Sequence, residues 1–560
     1  LSLRPDLNLD LLLAFPASLS RHWMYRRESL VRLSGFDNAC GDAFELAYQL
    51  RLISEHGVAS IGHVSEPLLI ANDVRQSQCA DERAVIDAHL QERGYAQAQA
   101  IALEKEPGRY RIDYGHERQA SVSILIYLDG QLGQFQRCLE SLLIQTNAVD
   151  FEVLLIEPGG DDPALLEWLG LVEEMGEGRF QVLRFMPGQS RAAMCNAAAQ
   201  EARGEYLLWL DAQSTVLEPG WLQALLNHAQ RPEVGAVGGK LQDSQGRIRQ
   251  AGLVLGQGGI VGRAFEGLSS QAEGYMGRLE LEQNCSAVGG ECLMLRRALF
   301  LEADGLDTDP LLAPWAHVDL CLKLQQAGYL NVWTPYARLL IDAVPDTRAS
   351  SEQEDAMLAR WLPQLARDPA YNANFSLRAG EGFARENTDL CWYPLQGSVP
   401  RVLVCVTEQQ VGAYSRLVQP FSTLLETGQI EGAAVSSLLS PVEIERLAPT
   451  TVVLQRPLDD AGLLALSRLR AFSKAFTVYD LDGYLPQMEL KGDYSTDELL
   501  ERLRFGMLQA DRVLVPTPAL AELLQGQHDD IRVLETLLPA AWGRVQSKRR
   551  TGAKPRLGWL

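Results

Sequence analysis

The chain has no apolar run that could cross a bilayer. Nothing in its 560 residues approaches the ~18–20 consecutive apolar residues a spanning helix needs, so no integral membrane segment is expected. Basic charge is also scarce: 51 Lys and Arg stand against 72 Asp and Glu, a formal net charge of −21. Nucleic acid and anionic membrane surfaces both demand a basic face, so neither is expected as the main partner, although a local basic pocket for a phosphate stays open. Paired CxxC cysteines are missing. The nine cysteines are scattered, some inside apolar runs such as Asp319-Leu320-Cys321-Leu322, and they read as reduced core residues rather than a metal or disulfide framework. The start lacks the charged, apolar and small-residue pattern of a secretory signal. These absences lead to a cytoplasmic reading, either free or peripheral at the inner face of the membrane. Leu1 in place of Met suggests a true start upstream.

What is present is ordinary globular composition, 46% hydrophobic and 22% charged, in a chain long enough for three or four domains. Residues 121–345 alternate short apolar runs with helical patterns. Val122–Tyr127, Phe151–Ile156, Gln181–Phe185 and Tyr206–Leu210 read as strands. Phe135–Gln145 and the Ala-rich Met194–Ala202 read as helices between them. This alternation predicts an α/β domain with a mostly parallel sheet and helices on both faces. A second α/β unit starts at Arg401-Val402-Leu403-Val404 and continues through runs at Thr451, Phe476 and Arg512. The last residues, Pro555 to Leu560, read as the first strand of something further. The expected division is 1–77, a linker 78–118, a domain 119–349, a helical and loop linker 350–398, and a final unit 399–560.

A long-range repeat is visible. Tyr25-Arg26-Arg27-Glu28, Ser34-Gly35-Phe36-Asp37 and Phe44-Glu45-Leu46 follow one another as do Leu295-Arg296-Arg297-Ala298, Asp304-Gly305-Leu306-Asp307 and His317-Val318-Asp319. The first segment therefore reads as the tail of a second copy.

The most informative segment is Gly204 to Gln213, where the strand Tyr206–Leu210 ends in Asp211. The carboxyl ends of strands are where open α/β sheets place ligand chemistry. With Cys138-Leu139-Glu140-Ser141-Leu142, Val234-Gly235-Ala236-Val237-Gly238-Gly239-Lys240 and Val318-Asp319-Leu320-Cys321-Leu322, residues 121–345 resemble family-2 glycosyltransferases of the GT-A fold, of the multi-domain bacterial type that assembles surface polysaccharide, O-antigen and flagellar glycan. Residues 1–75 resemble the C-terminal part of another such domain. Residues 400–560, through Tyr414-Ser415-Arg416 and Val478-Tyr479-Asp480-Leu481-Asp482, resemble the Rossmann-like N-terminal half of a GT-B enzyme, with Gly558-Trp559 similar to the opening of its other half. Asp480 and Asp482 read as part of a turn into the next helix.

The resemblance implies transfer of a sugar from a UDP-, dTDP- or GDP-linked donor to a glycan or protein hydroxyl. It also implies Mg²⁺ or Mn²⁺ between carboxylates to offset the charge of the leaving diphosphate. It places the first metal carboxylate at Asp211 and the second at position 213, which is Gln213. The family's late metal-binding His falls at Asp342, and its base Asp at His317. A neutral amide contributes no charge, whereas His can act as a base near neutral pH. Asp319 reads as structural. In the first segment Glu45 keeps a carboxylate where a base would lie. Asp129 and Glu157, at strand ends, are placed against the nucleotide base and ribose, or are solvated loop acids. Arg191 faces the diphosphate or a surface carboxylate. Gly290 and Glu291 permit close acceptor approach or form a tight turn, and Trp315 offers a sugar-stacking face or packs inside. The changes at 213, 317 and 342 leave two readings: a glycosyltransferase, or a catalytically degenerate module with a scaffolding or glycan-binding role.

Overall fold

The N-terminal helices form around leucines that cannot be solvated cheaply. The computed structural model describes residues 2–19, 22–66, 68, 70, 80–104, 106–176, 178–342, 349–380, 382–391, 399–406, 414–483 and 495–536. They fall into two compact units, Leu1–Glu386 and Asn387–Leu560. In the first unit, α1 (Leu9–Ala14), α2 (Arg27–Arg32), α3 (Phe44–His56) and α4 (Ala80–Glu92) precede a hairpin of β1 (Gln99–Ala102) and β2 (Tyr110–Asp113). Within 78–118, read above as a linker, α4 and the hairpin share one apolar core with α1 and α3 through Leu12, Leu50, Ile86, Ala100 and Ile112.

The central strands are β3 (Ser121–Tyr127), β4 (Asp150–Glu157), β5 (Phe180–Arg184), β6 (Tyr206–Leu210), β7 (Thr215–Val216), β8 (Val234–Gln242), β9 (Ile248–Gln250), β10 (Val254–Leu255), β11 (Val261–Gly262), β12 (Gln283–Asn284), β13 (Cys292–Arg296) and β14 (Leu330–Leu340). Helices α5 (Leu132–Gln145), α6 (Pro163–Met175), α7 (Arg191–Glu201), α8 (Trp221–Ala229), α9 (Arg297–Glu302), α10 (Ala316–Gln326) and α11 (Ser351–Ala366) lie between or after them. Strands β3, β4 and β6 are buried along nearly their whole length, as sheet strands covered on both faces must be. Helix α5 buries Phe135, Cys138, Leu139 and Leu142, a single stripe at helical spacing.

The sheet runs β12-β14-β8-β13-β6-β3-β4-β5, with β7 on β14 and β9 on β8. The expectation of a mostly parallel sheet needs correction, because the sheet is mixed. Strands β6, β3, β4 and β5 are mutually parallel. Strand β13 is antiparallel to both β6 and β8, and β12 is antiparallel to β14. The alternation rule holds while each strand is followed by a crossover helix. After β8 the chain instead makes a long excursion through residues 243–291 and returns reversed, with no helix to turn it round.

The first segment is tied to this sheet by buried charges. Arg231 donates to Asp10 at 2.5 Å and stacks 4.5 Å from the Tyr114 ring. His228 Nε2 lies 2.8 Å from Glu282, and Asn284 donates to Asp10. Burial alone would raise the Asp10 pKa, but the Arg231 charge holds it below the usual carboxylate range.

The sequence repeat is also a repeat of conformation. Arg26 caps α2 at φ −66°, ψ 125°, and Arg296 caps α9 at φ −65°, ψ 133°. Ser34 and Asp304 then take φ of +61° and +60°, and Gly35 and Gly305 follow at +71° and +68°. The Gly35 N–H donates to Leu30, the Gly305 N–H to Phe300. Two consecutive left-handed residues need glycine at the second position. Both segments continue into a helix whose second residue is Glu45 in one and His317 in the other.

The second unit is a six-stranded parallel sheet. It is built from β15 (Arg401–Cys405), β16 (Glu431–Val435), β17 (Thr451–Gln455), β18 (Phe476–Asp480), β19 (Arg512–Val515) and β20 (Ile531–Val533), in the order β16-β15-β17-β18-β19-β20. Asp480 is buried and takes Arg416 Nη2 at 2.5 Å, and Asp482 pairs with Arg456. The expected last strand at 555–560 lies outside the described residues, and Gly558-Trp559 with it. Among the described residues every cysteine is free of disulfide, and no helix is long and apolar enough to cross a membrane.

Candidate functional site

Strand register builds the site. Cys292 pairs with Leu210 across the antiparallel β13 and β6, so the residues beyond them, Glu291 and Asp211, also lie opposite one another. The Asp211 N–H donates to the Glu291 carbonyl at 2.9 Å. Asp211 is 7% exposed. Its Oδ1 accepts the Gln213 N–H at 2.8 Å, the side-chain turn that Asp favours at the end of a strand. Burial pushes the Asp211 carboxyl up to about 6. The Gln213 N–H opposes this, the Asp129 and Glu291 charges add to it, and Arg191 lowers it.

Gln213 is held from below. Gln134 caps α5 by giving its Oε1 to the Gln131 N–H, and its Nε2 donates to Gln213 Oε1 at 3.0 Å. Asp129, exposed after β3, accepts Arg191 Nη1 at 2.8 Å. Desolvation raises its pKa despite that partner. Arg191, the first residue of α7, also lies 4.5 Å over the Tyr127 ring. Glu157 is buried, and its Oε1 accepts the Gly159 and Gly160 N–H groups at 2.8 and 2.5 Å. One oxygen of Glu157 therefore braces its own turn.

On the opposite side Glu291 accepts Gln250 Nε2 at 3.0 Å and stands 4.0 Å from Arg263 Nη2. His317 is half-buried as the second residue of α10. Neither of its ring nitrogens has a hydrogen bond to the described residues. Gly290 packs against it, since a Cβ there would lie 3.2 Å from the His317 Cγ. Burial lowers the His317 pKa. Glu291 works against that shift, and Arg263 and Arg191 work with it. Burial thus favours the neutral form of the imidazole.

Other expected residues lie elsewhere. Trp315 is 6% exposed, which suits packing. Asp319 is fully buried between Trp361 Nε1 at 2.9 Å, Lys323 at 2.8 Å and Arg360 at 3.2 Å, the structural role read from the sequence. Glu45, the second residue of α3, bears on Tyr25, where it adds to the burial that raises the pKa. Asp342 accepts the Ser244 N–H at 3.0 Å, which lowers its pKa. The charges bearing on it come from Asp243 and Arg137.

A divalent cation fits these residues poorly. Among the described residues no three His, Cys, Asp or Glu side chains converge. Asp211 contributes one carboxylate, Gln213 gives its oxygen to Gln134, and Asp342 serves a different turn. Three members of the site were not legible beforehand. Gln134 carries no motif that marks it, and Gln250 and Arg263 arrive from the long excursion, where no motif marks them either.

Comparison with known proteins agrees with this architecture. Residues 123–302 match the profile of Glycosyl transferase family 2. The chain is 33% identical over 398 residues to the "Uncharacterized protein y4gI" of Sinorhizobium fredii, a span covering 68% of this chain and 43% of that protein. It is 31% identical over 440 residues to the O-antigen biosynthesis protein RfbC of Myxococcus xanthus, covering 74% of this chain and 33% of that one. The chain thus spans less than half the length of both relatives. A crystal structure of GalNAc-T7 with UDP, GalNAc and Mn²⁺ aligns over 46% of this chain and 50% of its own, at TM-score 0.36 and 18% identity.

Proposed function

We propose, on the premise that residues 123–302 are a glycosyltransferase family 2 domain, that this domain transfers a sugar from a nucleotide-sugar donor to a glycan or protein hydroxyl. The observation that carries the reading is His317, without a hydrogen bond to the described residues, set against Gly290 and beside Glu291, on the rim that also holds Asp211, Asp129 and Arg191. In this reading a His317 ring nitrogen takes the proton of the acceptor hydroxyl. The hydroxyl oxygen attacks the anomeric carbon from the face opposite the diphosphate. The bond from that carbon to the diphosphate oxygen breaks, and its electron pair leaves with the nucleotide. Glu291 stabilises the imidazolium that results, as a neighbouring carboxylate does for other catalytic histidines. Asp129 holds Arg191 in place near the diphosphate. Similarity to an O-antigen biosynthesis protein supports a bacterial surface glycan as the product class. UDP-, dTDP- and GDP-sugars are all candidate donors.

A second reading has its own observation. Gln213 tied to Gln134, with Asp342 on a separate turn, favours a module that binds nucleotide or glycan without turnover. Assaying nucleoside diphosphate release from a donor panel, with glycan acceptors present, separates the two. Binding without release would favour the module.

For the flanking parts, we assign residues 1–77 to the acceptor side of another GT-A domain, supported by the shared conformation at Ser34-Gly35 and Asp304-Gly305, with Glu45 in the base position. The parallel sheet of the second unit supports a GT-B half.

A further inference from the structure

A leaving diphosphate needs positive charge, and among the described residues the carboxylates do not assemble a place for a metal to supply it. One oxygen of each of three carboxylates near the site is committed to a neighbouring N–H. Asp211 Oδ1 takes the Gln213 N–H, Glu157 Oε1 takes two glycine N–H groups, and Glu291 takes Gln250. The position where a second metal carboxylate would stand is Gln213, whose oxygen faces Gln134. Asp342 holds the Ser244 N–H. What the site does have is a positioned guanidinium. Arg191 is fixed from two directions, by Asp129 at 2.8 Å and by the Tyr127 ring at 4.5 Å. Its side chain is half exposed. A guanidinium carries five N–H donors in a planar fork that matches phosphate oxygens two at a time, and one salt bridge to Asp129 leaves donors for a ligand. Its charge reaches Asp129, Asp211 and His317 alike, so it stands among the groups assigned above to donor and acceptor.

We propose that the central domain binds the diphosphate of its nucleotide ligand without a divalent cation, with the Arg191 guanidinium, held by Asp129 and Tyr127, as the positive charge against it. This rests on the nucleotide-binding reading above. The Arg191 side chain adds no proton transfer of its own. It offers N–H donors to the diphosphate oxygens before and after the sugar leaves.

The test is calorimetric titration of UDP and of GDP into the full chain, once in EDTA and once in excess Mn²⁺. Dissociation constants that agree within about twofold between the two buffers are expected. Arg191→Ala is expected to weaken binding by ~10- to 10²-fold in EDTA. Arg191→Lys, which keeps the charge and loses the fork, should fall between. Arg191 is exposed, and near-ultraviolet circular dichroism identical to wild type checks that both variants fold. Binding that requires Mn²⁺ overturns the metal-free inference and leaves the nucleotide-binding reading standing. Binding in EDTA that Arg191→Ala does not weaken removes Arg191 from the site. No binding of either nucleotide in either buffer overturns the functional reading itself.

Discussion

Glu291 lies directly across an antiparallel strand pair from Asp211, whose N–H donates to the Glu291 carbonyl at 2.9 Å. This pairing brings the excursion through residues 243–291 back to the end of β6. It also concentrates carboxylates, because Glu291 and Asp129 both add to the burial that pushes Asp211 up to about 6. Like charges opposite one another on a strand pair are unfavourable, and arginines at 191 and 263 sit on either flank of the pair.

The raised Asp211 pKa has a signed consequence. The folded state keeps the proton through the window between the unfolded value near 4 and about 6, so stability falls as pH rises through that window and stays low above it. Asp211→Asn keeps an oxygen for the Gln213 N–H and removes the loss. At pH near 7.5 the variant should exceed wild type by up to about 3 kcal/mol, with the advantage fading by about pH 4. Urea denaturation of the first unit at both pH values checks this, and a pH-independent offset would contradict it.

Gly290 leaves room for the imidazole. A Cβ at this position would lie 3.2 Å from the His317 Cγ and 3.3 Å from its Cβ, so Gly290→Ala must displace the ring by a few tenths of an ångström. Turnover should fall by about tenfold with little change in nucleotide affinity. Steady-state kinetics with paired titrations check it, and unchanged turnover would show that the ring position is not critical.

The Asp10–Arg231 pair is almost solvent-free, at 2% and 1% side-chain exposure. Asp10→Ala leaves the guanidinium buried without its partner and should destabilise the first unit by about 3–5 kcal/mol. Limited proteolysis is expected to release the N-terminal helices first. A loss below about 1 kcal/mol, the range of exposed pairs, would mean that Arg231 finds compensation elsewhere.

The strands from β3 to β6 were legible because each reads as a short apolar run, with one helix between neighbours, and β3, β4 and β6 end in an acid. The excursion before β13 was not, because a loop that returns a strand in reverse carries no period. The same split governs the site. Asp211 and Arg191 could be named from a strand end and a helix start, and His317 from the family resemblance. Glu291 was named from its neighbouring glycines, but its opposition to Asp211 depends on register. Gln250 and Arg263 become neighbours only through folding. Asp342, named from its place along the chain, accepts the N–H of Ser244, 98 residues away in sequence.

The repeated turns offer a paired stability test. Gly305 and Gly35 share a left-handed backbone. A Cβ at 305 would meet Asn196 Oδ1 at 2.6 Å, whereas one at 35 would meet nothing within 4 Å. Gly35→Ala should cost about 1 kcal/mol from the backbone alone. Gly305→Ala should cost more, because it also disturbs the Asn196 hydrogen bonds to Leu306. Equal losses in thermal denaturation would contradict the crowding at 305.

Release of nucleoside diphosphate from a panel of UDP-, dTDP- and GDP-sugars, compared between wild type and His317→Ala, tests the central claim most directly. Transfer in the wild type, lowered ~10²–10⁴-fold in kcat by the variant while donor affinity is kept, is the expected result. Wild-type turnover that His317→Ala leaves unchanged, or donor binding with no turnover at all, would contradict it.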